Sequence, residues 1–123
     1  MLSTLGSFHT FGARVLLAFA VLLGLWGTYH YIRNQRLSGG FRSTYLIMAG
    51  ATVVQGLLGV AALVAGGSAR EGILHIVYGV FAVLFLPGAY VYARGGSDRR
   101  ETLILAGAAW IASIAYLRGM ATG

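Results

Sequence analysis

Two histidines stand at equivalent places in this chain. His9 and His75 each open a long apolar stretch, and each is followed within about a turn by small residues, Gly12 and Ala13 after the first and Gly79 after the second. An imidazole nitrogen is a transition-metal ligand. Two of them at one depth on different helices, with space cleared alongside, match the axial donors of a haem held inside a membrane. The third histidine, His30, closes the first stretch. At a helix rise of about 1.5 Å per residue it lies on the order of 30 Å from His9, so these two cannot share a ligand. Pairing His9 with His75 requires that both helices begin at the same face, which depends on the topology.

Composition sets the spans. Of the 123 residues, 58% are hydrophobic and 10% are charged, and the mean hydropathy is +0.77. A water-soluble domain carries about 25% charged residues. Apolar runs cover Phe11 to Tyr29, Tyr45 to Val64, Ile73 to Tyr92 and Leu103 to Leu117, separated by polar turns at Arg33 to Ser43, Gly66 to Gly72 and Arg94 to Glu101. Crossing the hydrocarbon core takes roughly 20 residues, within a range of about 17 to 25. Three runs meet this and the fourth reaches it through its flanks, which places the spans at about residues 8–32, 43–65, 72–93 and 101–118. The turns are too short to hold a second domain. The expected fold is an all-α membrane protein, a single four-transmembrane-helix bundle over residues 1–123 with short loops.

Arginine supplies the orientation, since the chain has no lysine. Arg33, Arg36 and Arg42 join helices 1 and 2, and Arg94, Arg99 and Arg100 join helices 3 and 4. The opposite side offers Arg70 and Arg118, with Arg14 a turn inside helix 1. This asymmetry in short loops puts the arginine-rich side in the cytoplasm. Both termini are then expected outside, in a multi-pass protein of a prokaryotic inner membrane, with His9 and His75 at the outer face. The net charge of +6 is mostly topogenic arginine and implies no nucleic-acid partner. The first ten residues lack Lys and Arg and the apolar run continues to Trp26, Tyr29 and Tyr31, so the first stretch is expected to be a retained helix and not a cleaved signal. Zero cysteines exclude disulfides, thiolate metal sites and covalently attached c-type haem.

Helical spacing from His9 leads through Gly12, Ala13, Leu16, Ala20 and Gly24, and from His75 through Tyr78, Gly79, Ala82 and Leu86. Helix 2 adds Gln55, Gly56 and Gly59. Gly12, Gly79, Gly56 and Gly59 are the candidates for haem clearance, although small residues serve close helix packing equally well. Arg14, Arg70 and Arg118 are candidates for haem propionates, which suit bidentate arginine pairing. Arg14 also has two plainer readings, snorkelling to the outer surface or pairing with Glu71. His30, flanked by Tyr29 and Tyr31, reads as an interfacial anchor, with a second, cytoplasmic haem between His30 and Met48 as the alternative. Pro87 is expected to kink helix 3. Trp26, Tyr29, Tyr31, Tyr45, Tyr90 and Tyr92 read as an aromatic belt at the cytoplasmic interface.

The pieces Phe8-His9, Val54-Gln55-Gly56-Leu57-Leu58-Gly59 and Leu74-His75 with Gly79 resemble one half of a haem A synthase, a family built of two similar four-helix modules. The interval of 66 residues between the histidines is also similar, and the resemblance covers roughly residues 8 to 93. It implies that His9 and His75 are axial ligands of one b-type haem near the outer surface. The chain departs from that family in having Gly6 where an acid precedes the first histidine, Thr10 where arginine follows it, and no cysteine pair. These departures favour haem binding over oxidation of a haem methyl group, and no catalytic residue is assigned.

All three acids, Glu71, Asp98 and Glu101, fall in loops or at helix ends, and no hydrolytic constellation or phosphate-binding loop occurs. An intramembrane hydrolase or a proton-coupled exporter is thereby disfavoured. Three functions stay open. One is a cytochrome b-like electron carrier or haem-handling protein within a membrane complex or homo-oligomer, exchanging electrons with a quinol, a periplasmic cytochrome or a neighbouring subunit. The second is a cofactor-free structural subunit of a respiratory or photosynthetic complex. The third is a haem O- or haem A-modifying oligomer.

Overall fold

Each polar turn ends one helix and starts the next. The computed structural model describes residues 2–67 and 72–122, and its helices are α1 (Leu2–Ile32), α2 (Gly39–Val64), α3 (Gly72–Ala93) and α4 (Asp98–Thr122). No strand occurs among the described residues. All four helices are long and apolar enough to cross a membrane. With 31 residues, α1 is about 46 Å long, well beyond a hydrocarbon core of about 30 Å. The fourth helix runs past the expected end at residue 118 to Thr122, because Arg118 and Gly119 interrupt the apolar run without breaking the helix.

Local chemistry explains the ends. Ser38 Oγ accepts from Phe41 N at 3.0 Å and Ser97 Oγ accepts from Arg100 N at 3.2 Å, each capping orphan amides at a helix start. Gly66 (φ 102°) and Gly95 (φ 81°) take the left-handed conformation that closes α2 and α3.

The helices pack as a ring in the order α1, α2, α3, α4; α4 is embraced most fully, and the α2–α3 seam is the thinnest. One end ties the α1–α2 connection to the start of α4. There Arg36 Nε meets Asp98 Oδ2 at 3.0 Å, and Arg42 grips Glu101 through Nε (3.1 Å) and Nη2 (2.5 Å). The opposite end holds His9 and His75, so neighbouring helices run antiparallel.

The least hydropathic span, α4, is the most buried, because its alanines allow close contact on both sides. A Cβ on Gly27 would lie 2.7 Å from the Cβ of Ala106, and one on Gly24 would lie 2.7 Å from the Trp110 ring. Trp110 Nε1 donates to Thr28 Oγ1 at 2.9 Å across the same seam. Gly24, which continues the small face below His9, thus serves packing of α1 on α4, while Ala20 is fully buried in the core. Tyr45 leaves the expected aromatic belt: it is fully buried, donates its hydroxyl to the Leu86 carbonyl at 2.6 Å and stacks on Tyr90. The helix α3 continues through Pro87. Large apolar side chains such as Leu22, Ile47, Leu57, Ile73, Leu84 and Ile114 point outward on all four helices, a surface suited to lipid.

Candidate functional site

His9 and His75 meet. They lie on the diagonal helices α1 and α3, with ring centroids 5.8 Å apart and planes at 73°. The residues around them come from the other two helices. From α2, Gly59 faces the His9 ring, where a Cβ would stand 3.0 Å from Cε1, so only glycine lets the imidazole sit this close to the backbone. Gln55, one turn earlier, packs against Gly12 of α1, and its Nε2 donates to the His9 carbonyl at 2.5 Å. The glutamine thereby fixes the backbone that carries His9.

From α4, the carbonyl of Gly119 lies 3.0 Å from His75 Nδ1, with Thr122 Oγ1 at 3.3 Å. The Thr122 hydroxyl is oriented toward the carbonyls of Arg118 and Gly119, so its oxygen is free to accept. This network assigns a proton to His75 Nδ1, the arrangement by which a backbone carbonyl orients a ligating imidazole. His9 Nδ1 is buried without a hydrogen-bond partner.

The arrangement can be tested against an iron porphyrin. Two metal–nitrogen bonds of about 2 Å and two ring radii of about 1 Å place axial imidazole centroids about 6 Å apart. The observed 5.8 Å is close to that separation and is also that of an ordinary edge-to-face ring contact. Among the described residues no group of three or more His, Cys, Asp or Glu side chains gathers, so the pair is a two-donor set.

The other expected site residues are distributed more widely. A Cβ on Gly56 would meet Val83 of α3 at 3.3 Å, while nothing lies within 4 Å of the equivalent point on Gly79. Arg14 is exposed and lines a shallow hollow with Ser3, Ser7 and Thr10, away from the ring pair. Arg118 donates from Nε to Tyr78 Oη at 3.4 Å, one turn from His75 on the α3–α4 seam. Arg70 and Glu71 lie outside the described residues. His30 is ringed by Trp26, Tyr29 and Phe41 at the other end, whereas Met48 sits in the hydrophobic core.

Sequence reasoning missed Gly119 and Thr122. The only signal for them was a polar threonine one turn beyond Arg118, in a segment that hydropathy excludes from the span. Comparison with family models, with curated proteins and with solved structures finds no match to this chain, so the likeness to a haem A synthase half rests on its residues. Fold and site together define a four-helix, membrane-spanning bundle with a histidine pair near one end.

Proposed function

We propose that this chain is a bis-histidine, haem b-binding membrane protein that serves electron transfer or haem handling within a membrane complex. The observation that carries this reading is the His9–His75 pair, set at an axial-ligand separation with His75 Nδ1 directed to the Gly119 carbonyl. Gln55 and Gly59 position His9; Gly119 and Thr122 position His75. Haem bound there would supply one-electron redox chemistry, with its potential tuned by these outer hydrogen bonds. Arg118 and Tyr78 are the polar groups at that end suited to a propionate.

Six arginines gather at the opposite end, in loops and first turns, which supports a cytoplasmic location for that end and an outward-facing haem in a prokaryotic inner membrane. A haem near one surface exchanges electrons with a quinol, a periplasmic cytochrome or a neighbouring subunit, not across the bilayer by itself.

The second reading is a cofactor-free subunit. It is favoured by the filling of the small-residue gaps, Gly12 by Gln55 and Gly56 by Val83, which closes the bundle without a ligand. An optical spectrum of the detergent-purified protein titrated with haem, oxidised and dithionite-reduced, decides between them. Sharp low-spin b-type bands that disappear in His9→Ala and in His75→Ala are expected. A folded protein whose added haem keeps the spectrum of free haem in detergent refutes haem binding and leaves the structural role.

A further inference from the structure

The end of the bundle opposite the histidine pair contains a second polar site. His30, in the last turn of α1, is packed among the rings of Trp26, Tyr29 and Phe41, and both of its ring nitrogens are buried without a hydrogen-bond partner. A neutral imidazole carries one donor and one acceptor, and leaving both unmet away from water is costly. The ring forms part of the wall of a cavity of about 350 Å³ whose other sides include Asn34, Arg36, Asp98, Arg99 and Thr102.

The charged acceptor and the asparagine oxygen at this cavity each hold an arginine. The Asp98 carboxylate takes Arg36 Nε at 3.0 Å, and Asn34 Oδ1 takes Arg99 Nη1 at 2.9 Å. The donors are not exhausted. Arg99 is held rigidly, its guanidinium 4.0 Å over the Tyr31 ring and its Nη1 also directed to the Tyr31 carbonyl, so Nε and Nη2 remain available. Two guanidinium groups against one carboxylate leave the cavity with a surplus positive charge. The same holds for the whole end, where six arginines face two acids, Asp98 and Glu101, that Arg36 and Arg42 already occupy.

We propose that this cavity binds a phosphate group, with the oxygens accepting from Arg99 and Arg36 while the His30 ring forms part of the wall, and that the phosphate is the headgroup of an anionic phospholipid. A phosphate is rich in acceptors and matches the fork of an arginine. The lipid source follows from position: Trp26 and Tyr29 stand beside His30 with exposed rings at a helix end, the level at which aromatic residues meet headgroups. Basic pockets between helices on the arginine-rich side are where anionic headgroups dock. The site is independent of the haem reading, since His30 and His9 lie about 30 Å apart on one helix.

The test uses native mass spectrometry of the full-length protein in a non-ionic detergent, with phosphatidylglycerol, phosphatidylcholine or inorganic phosphate added separately. Phosphatidylglycerol is expected to be retained over phosphatidylcholine by about tenfold or more, with the preference reduced about tenfold in Arg99→Gln and in Arg36→Gln. Arg99→Lys, which keeps the charge and loses the fork, should fall between. Helicity by circular dichroism accompanies each variant, so lost folding is distinguished from lost binding. Retention of inorganic phosphate without lipid preference, abolished in the same variants, supports the phosphate site and assigns it a soluble source. Equal retention of both lipids together with no response to inorganic phosphate overturns the proposal.

Discussion

Gly59→Ala and Gly79→Ala are the same substitution on neighbouring helices, and the structure assigns them opposite effects. A methyl at Gly59 would stand 3.0 Å from His9 Cε1, 3.5 Å from Nδ1 and 3.7 Å from Nε2. Carbon atoms pack comfortably at about 3.5–4.0 Å, so the ring must retreat by roughly half an ångström. Overpacking of this kind costs about 1–3 kcal/mol. Replacing a helical glycine returns up to about 1 kcal/mol of backbone entropy, so Gly59→Ala should lose about 0–3 kcal/mol net. At Gly79 nothing lies within 4 Å of the new methyl, and the entropy term acts alone, a gain of up to about 1 kcal/mol. Thermal unfolding of the haem-free protein in detergent, followed by circular dichroism, should rank Gly79→Ala above wild type and Gly59→Ala below it. Ligating groups tolerate displacements of about 0.5 Å at most, so Gly59→Ala should also weaken haem binding by at least about tenfold in the titration described above. A Gly59→Ala protein that melts above wild type, level with Gly79→Ala, would refute the seating of His9 against α2.

Two further perturbations probe the frame that holds the site. Gly24→Ala drives a methyl to 2.7 Å from the Trp110 ring and threatens the bond from Trp110 Nε1 to Thr28, so it should destabilise by about 1–3 kcal/mol and shift tryptophan emission; unchanged emission and stability would contradict the α1–α4 packing. The bidentate Arg42–Glu101 pair, with side chains 33% and 15% exposed, should yield a coupling of about 1–3 kcal/mol in a double-mutant cycle. The Arg36–Asp98 pair, at 76% and 53%, should yield about 0–1 kcal/mol, lost in high salt; equal couplings would mean that burial does not separate them.

The chain by itself determined the four spans, because hydropathy over some twenty residues is a local property that a bilayer reads directly. It also determined that His9 and His75 share one end, since short connections force neighbouring helices to alternate in direction. Other features depended on which helix lies beside which. Small residues at Gly12 and Gly24 have one appearance in sequence, yet Gly12 admits Gln55 while Gly24 lies on the seam with α4. Tyr45 resembles its belt neighbours until α3 places the Leu86 carbonyl within reach of its hydroxyl. Above all, Gly119 and Thr122 acquire their place behind His75 only because α4 outlasts its apolar run and packs along α3. Periodicity along one chain locates two histidines at one end of the bundle; the direction in which an imidazole points is decided by a carbonyl on a different helix, 44 residues away.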